Sequence, residues 1–282
     1  MLTDPALRVL SLGGGVQSST MLLMGSTGHF GAPPDLAIFA DTGNEPPAVY
    51  RMIEWLTEHS GVEVMVVTAV VPIAEAISRG VDASGRVTGL GIPTHTVDDN
   101  GKVGMARRVC TSHWKILPIE KEIRRRLGVS RITRDSGIEV EQWLGISIDE
   151  VERVKPARPD WLFSRWPLIE SHMSRADCER WWRENAPSSA PPLARSACAI
   201  CPYRTADEWL ILRNEDPELF DRACEVESDL NEVQRRRGHG HVTHYLHRRR
   251  IPLREAVTAD HAAASQGGLS PRTEECSGSC WT

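Results

Sequence analysis

Cys198-Ala199-Ile200-Cys201 puts two thiols on one tight turn, a spacing that serves a metal ion, an iron–sulfur cluster or a redox dithiol. Cys110 lies far upstream, directly after Arg107, Arg108 and Val109, and those two cations favour its thiolate. The chain closes on Cys276-Ser277-Gly278-Ser279-Cys280. Cys178 and Cys224 sit inside helical patterns and read as packing residues. Seven cysteines is an odd total, and without an export signal disulfides are the less expected use.

A second chemistry-bearing stretch is Ser11-Leu12-Gly13-Gly14-Gly15-Val16-Gln17-Ser18-Ser19-Thr20. Three glycines let backbone N–H groups converge on an anion without obstruction by Cβ atoms. A helix beginning after them adds the positive end of its dipole, and the hydroxyls can bond phosphate oxygens. The stretch is not a Walker loop, because no Gly-Lys-Ser/Thr follows, and it lacks the G-x-G-x-x-G spacing. A glycine-rich turn that binds nothing is the competing reading.

Two further clusters fall at expected strand ends. Asp41-Thr42-Gly43 follows Leu36–Ala40, and an Asp at the carboxyl end of a parallel strand meets a ribose or a metal, or merely caps the next helix. Gly145, Ser147, Asp149 and Glu150 lie at the end of Val140–Ile146, with Arg153 and Lys155 close behind. That group can hold Mg²⁺ and phosphates, or be an ordinary acid-rich helix start.

The elements that must position these residues alternate. Leu7–Leu12, Leu36–Ala40, Val62–Thr68 and Val140–Ile146 have buried-strand patterns. Helical spacing follows in Gln17–Met24, after Pro46 and Pro47, and along the stripe Ile116, Ile119, Ile123 and Leu127. Such alternation predicts an α/β fold: a Rossmann-like parallel sheet with helices on both faces. Residues 78–104 read as a long loop, and the tail from Ala256 to Thr273 reads as flexible. The character changes near residue 170, which divides the chain into 1–170, an α/β nucleotide-binding domain, and 171–282, a smaller helical, cysteine-bearing part.

The glycine stretch resembles the signature of the PP-loop superfamily, usually Ser-Gly-Gly-x-Asp-Ser, here Gly13-Gly14-Gly15-Val16-Gln17-Ser18. Gly13 stands where that signature has Ser, and Gln17 where it has Asp. The variant, together with Phe39–Pro46, Trp143–Glu150 and the Glu275-Cys276-x-Gly-x-Cys280 ending, is similar to the phosphoadenosine-phosphosulfate-reductase-like branch of phage and bacterial type. The resemblance implies an adenine nucleotide α-hydrolase fold. It implies ATP or a related adenylyl nucleotide, with Mg²⁺, on Ser11, Gly13, Gly14, Gly15, Val16, Gln17, Ser18, Ser19, Asp41, Thr42, Gly43, Gly145, Ser147, Asp149 and Arg153. It further implies a [4Fe–4S] cluster, with zinc as the alternative, on Cys110, Cys198, Cys201 and Cys276. Cys280 becomes a sulfur carrier and Asp41 a catalytic residue.

Three functional readings stand, the first two from that resemblance and the third from Gln17 in place of the signature's Asp. The first is a sulfur transferase that adenylates its substrate, with a nucleobase or nucleic acid as the candidate, and then transfers sulfur held by the cluster or by Cys280, a donor protein being a candidate partner. The second is a phosphoadenylylsulfate or adenylylsulfate reductase, although the Glu-Cys-Gly-x-His ending of those reductases is absent. The third is a zinc-stapled nucleic-acid-binding protein with a vestigial nucleotide pocket.

Bulk properties bound these readings. The 282 residues are 40% hydrophobic, enough for a real core, and the net charge of −5 excludes a generic polyanion binder. A nucleic-acid substrate would need a local patch, and Gln234–Leu253 offers one, with Arg235–Arg237 and Arg248–Arg250 flanking four histidines. Its competing reading is a solvated basic face. The nine tryptophans read as core residues rather than base-stacking platforms. With no apolar run of roughly 18 residues and no leader pattern, a cytoplasmic protein away from membranes is expected. Oligomeric state is not legible.

Overall fold

A computed structural model describes residues 4–87, 91–133, 136–155 and 159–265. Cys276 and Cys280 therefore lie outside the described residues. The strands are β1 (Leu7–Leu12), β2 (Leu36–Asp41), β3 (Glu63–Thr68), β4 (His95–Asp98), β5 (Val103–Met105), β6 (Val140–Leu144), β7 (Leu162–Arg165) and β8 (Val242–Tyr245). Helices are α1 (Val16–Ser26), α2 (Pro47–His59), α3 (Ile73–Arg79), α4 (Leu117–Arg126), α5 (Pro167–Glu170), α6 (Arg175–Asn185), α7 (Ala206–Glu215), α8 (Pro217–Arg236) and α9 (Leu253–Ser265).

Five strands form a sheet in the order β3-β2-β1-β6-β7, every neighbouring pair parallel. Alternation along the strands sorts the core into two faces. Leu10, Leu12, Ala37, Phe39 and Trp143 pack with α1, α2 and α6. Val9, Leu36, Ile38, Ala40 and Val140 pack instead under Ile119 and Ile123 of α4. This is the expected α/β sheet with helices on both faces. The winding turns back at β1: β2 and β3 lie on one side of it, β6 and β7 on the other. Strand carboxyl ends at such a switch point open a crevice, and the Gly13–Ser19 turn and Gly145–Arg153 occupy the carboxyl ends of β1 and β6.

Local chemistry sets the helix starts. Pro47 opens α2, and Pro217 opens α8 behind an Asp216 carboxylate that accepts from the Leu219 N–H. Ser174 with Asp177 and Thr205 with Glu208 form capping boxes on α6 and α7.

A second core joins α3, α7, α8 and α9 to Trp114, Ala199 and Ile200. Beside it a small antiparallel sheet runs β5-β4-β8. Here the chain corrects two expectations. Residues 78–104 are not one long loop, since they hold the end of α3, an isolated bridge between Val81 and Val87, and β4 with the start of β5. The two strands are short, and β5 is exposed along its length, so neither carries a buried-strand pattern. The expected flexible tail begins too early, because α9 runs to Ser265 on an alanine-rich, helix-favouring sequence. Its first N–H, that of Leu253, is held by the buried Glu227 carboxylate at 2.7 Å. No described helix is long and apolar enough to cross a membrane.

Candidate functional site

The glycine turn leaves β1 and enters α1 with Gly15 as N-cap, without any side-chain cap and without an acidic residue in the first turn. The leading N–H groups of a helix have no partner within it, so this positive end is open to an anion. Gly14 has φ +70°, and a Cβ there would press on Val49 at 2.9 Å. Gly13 donates its N–H to Ser18 Oγ at 3.1 Å, which turns that hydroxyl inward. Ser19 is fully buried, and its hydroxyl has no hydrogen-bond partner among the described residues. Ser11 is buried and accepts from Gln142 at 2.7 Å, while Val16 belongs to the core.

The β6 side closes directly on this turn. A Cβ on Gly145 would fall 3.0 Å from the backbone nitrogen of Ser18. Gln17 donates its side-chain amide to Glu150 Oε2 at 3.2 Å and reaches the buried Ser147 hydroxyl at 3.4 Å. Arg153 pairs with the other oxygen of Glu150 at 2.5 Å. Burial raises the Glu150 carboxyl above its ordinary value, opposed by the Arg153 charge. Asp149 points elsewhere: it is exposed and accepts from the Arg175 N–H that begins α6. Glu150, not Asp149, is thus the carboxylate tied to the glycine turn.

On the β2 side, Asp41 Oδ1 accepts from the Gly43 N–H at 2.7 Å and from the Tyr50 hydroxyl at 2.9 Å. Burial and the Asp41 carboxylate push the Tyr50 phenol up, so it stays a donor. Gly43 has φ +72° and lies against Pro72. Thr42 donates to Glu45 Oε1 at 3.0 Å. Glu45 is almost fully buried, faces Lys115 Nζ at 3.8 Å, and leaves its Oε2 without a hydrogen-bond partner among the described residues.

Lys115 brings in the cysteines. One largely apolar cavity is lined by Cys110, Cys198 and Cys201 together with Thr42, Arg108, Thr111, Lys115 and Tyr203. The segment Thr111–Ile116 is a π-helix, with Cys110 as its N-cap. Its i→i+5 bonding widens the turn, and Cys110, Thr111 and Lys115 all line the cavity wall. Cys198 accepts a hydrogen bond from Asn44 at 3.5 Å, and burial raises its thiol to about 11. The turn is braced by Arg204, which donates to the Ala197 carbonyl at 2.8 Å. Among the described residues, no three His, Cys, Asp or Glu side chains converge on a single metal position. The three cysteines therefore share a wall rather than a point.

The basic stretch lies beside this cavity. β8 pairs with β4 so that Tyr245 stands opposite His95. His95 Nε2 meets the carbonyl of Pro202, another lining residue, at 3.2 Å. Burial lowers the His95 pKa, and the nearby Arg250 and Arg248 guanidiniums lower it further. Arg108 lies over the Tyr203 ring at 5.8 Å.

Sequence reasoning missed Asn44, Glu45, Lys115 and Ser196. Asn44 and Glu45 do follow the Asp41-Thr42-Gly43 stretch directly, and Lys115 follows Cys110 by five positions, so proximity to a motif was their available signal.

No family model matches the chain, and no curated protein matches it. Among solved structures it is similar to the phosphoadenylyl-sulfate (PAPS) reductase from Candida auris in its phosphate complex, at 16% identity and a TM-score of 0.42, over 65% of this chain and 74% of that one.

Proposed function

We propose that the chain is an enzyme that binds an adenylyl nucleotide on the Gly13–Ser19 turn and performs sulfur chemistry at the cavity of Cys110, Cys198 and Cys201. One observation carries this reading: residues 196–198 touch both places, and residues 41–45 run from the strand paired with β1 to the cavity. Residues 41–45 leave β2 beside the glycine turn, supply Thr42 to the cavity wall and hold Cys198 through Asn44. Residues 196–198 set Ser196 against Gly15 and end in Cys198.

In the preferred mechanism ATP lies with its phosphates at the open start of α1. A substrate oxygen attacks the α-phosphorus, a new P–O bond forms, and the bond to pyrophosphate breaks with its electron pair leaving on pyrophosphate. Backbone N–H groups of the turn stabilise the charge that develops. A sulfur nucleophile at the hydrosulfide level then attacks the activated carbon, and AMP leaves with the C–O electron pair. Asp41 keeps Oδ2 for a ribose or Mg²⁺. A cluster held by Cys110, Cys198 and Cys201, with Cys276 as a fourth ligand, would supply iron sites that hold sulfur. Three thiols lining one cavity would suit a cluster, and the same thiolates would suit zinc as the alternative. Cys280 stays a candidate sulfur carrier. The Arg248–Arg250 turn beside the cavity suits a nucleic-acid acceptor.

Sulfonucleotide reduction is the second reading, favoured by Arg108 and Lys115 on the wall, which suit an anionic sulfo group. There a cysteine thiolate attacks the sulfo sulfur, the S–O bond to the nucleotide phosphate breaks, and a dithiol reductant releases sulfite as it becomes a disulfide. Incubation with ATP plus nucleic acid, and separately with phosphoadenylylsulfate or adenylylsulfate plus thioredoxin, separates the two. Pyrophosphate release supports the first and sulfite release the second. Neither product, with no nucleotide bound, would dismiss both.

A further inference from the structure

Gly15 has no room for a side chain because Ser196 already fills it. A Cβ built on Gly15 falls 2.5 Å from Ser196 Oγ and 3.3 Å from its backbone nitrogen. Ser196 lies between Ala194, packed into the core of the parallel sheet, and Ala197, whose carbonyl is held by Arg204. Its neighbour Arg195 pairs with Glu208, the residue that completes the cap of α7. The backbone on either side of Ser196 is thus anchored. Its side chain is half-buried, and its hydroxyl forms no hydrogen bond to another described residue. A held hydroxyl, unused by the described residues, therefore stands at the N-cap of α1, which has no side-chain cap among them.

We infer that Ser196 is a phosphate-binding residue of the nucleotide site, contributed from a segment some 180 positions after the glycine turn. The inference rests on the adenylyl-nucleotide reading above and extends it. Gly13, the first residue of the turn, has no hydroxyl, and Ser18 Oγ accepts the Gly13 N–H at 3.1 Å while its own hydrogen turns to the Gly15 carbonyl at 3.5 Å. Ser196 supplies a donor where those residues do not. The placement also has a chemical consequence, for Cys198 follows two residues later on the cavity wall. A nucleotide gripped by Ser196 is thereby registered against the thiols.

Calorimetric titration of the full chain with ATP, adenylylsulfate and adenosine tests this. Ser196→Ala is expected to weaken ATP and adenylylsulfate about tenfold, the worth of one hydrogen bond to a charged group. Adenosine affinity is expected to stay unchanged, and Ser196→Thr, which keeps the hydroxyl, to restore most of the loss. Equal ATP affinity in Ser196→Ala and the unaltered chain would overturn the assignment alone. An equal loss for adenosine would also overturn it, as the mark of a packing role. If the unaltered chain binds none of the three ligands, the nucleotide reading fails and takes this one with it.

Discussion

The Asn44 side chain donates to the Cys198 sulfur at 3.5 Å while the Asn44 carbonyl accepts the Ala199 N–H at 2.7 Å. One residue from the loop after β2 thus holds the Cys-x-x-Cys turn by sulfur and by backbone. Asn44→Ala is expected to lose the sulfur contact, costing about 1 kcal/mol of stability, and to raise the alkylation rate of Cys198 in the apo chain. Urea unfolding and mass-spectrometric mapping of the alkylated thiols read both effects. An unchanged Cys198 rate would mean that the contact does not hold the sulfur.

Gly145 is expected to be intolerant of any side chain. Its Cβ would meet Ser18 N at 3.0 Å and Ser18 Cα at 3.1 Å, and neither backbone atom can rotate away. Gly145→Ala should push the β6 loop off the start of α1, costing about 1–3 kcal/mol and weakening ATP binding. Gly61→Ala is a poor control, since its φ of +71° strains any side chain. Ser112→Ala, on an exposed hydroxyl, serves better.

Two buried groups in the second core make opposite pH demands. Burial lifts Glu227 from 4.5 to about 7, against the Leu246 and Leu253 N–H groups that hold it. Its contribution is complete below pH 4.5 and is lost as pH rises through about 7. Burial drops His244 from 6.5 to about 4, so its contribution is complete above pH 6.5 and is lost as pH falls through about 4. Between those limits the two slopes oppose, and the pair contributes little net pH dependence. Glu227→Gln should unmask a stability that rises with pH across that window, by roughly 1.4 kcal/mol per unit. Removing the imidazole with His244→Asn should unmask a fall instead. Denaturation midpoints at several pH values would show whether the slopes take these signs.

The Arg248–Arg250 turn sets an expectation for nucleic acid. If phosphates rest there, affinity for a labelled oligonucleotide falls steeply with salt. Replacing Arg248 and Arg250 together by Ala should lower the slope of log affinity against log salt by about 1–2. The same change at Arg235 and Arg236, the end of α8, should matter less, because those residues are not placed at His95. Equal slopes in both double variants would place the contact elsewhere.

Much of the parallel sheet was legible because its strands are short apolar runs and its helices carry proline starts and apolar stripes. The glycine turn and its place after β1 were legible for the same reason. The convergence of Cys110 with Cys198 and Cys201 was expected only through resemblance, since nothing in 87 intervening positions signals that the π-turn faces the later cysteines. Asp149 looked like the acid of the β6 loop, yet the kink at Glu150, with φ −123°, turns Glu150 toward Gln17 and leaves Asp149 outside. A backbone kink of that kind has no side-chain signature. β4 and β8 stayed hidden because each is four residues long and half-buried, with a partner far away in sequence.

That distant pairing bears on how the molecule is made. Thr94 and His244, bonded at 2.8 Å, are 150 positions apart. The parallel sheet is complete once β7 has emerged from the ribosome, whereas the small sheet must wait for β8. Contacts that close such long loops form late. The growing chain therefore assembles its glycine turn first, and Cys110 lacks the wall of Cys198, Cys201 and Tyr203 until those residues are made. Any iron or sulfur held by all three cysteines would have to arrive after Cys198 and Cys201 have been made, which places loading after the parallel sheet has formed.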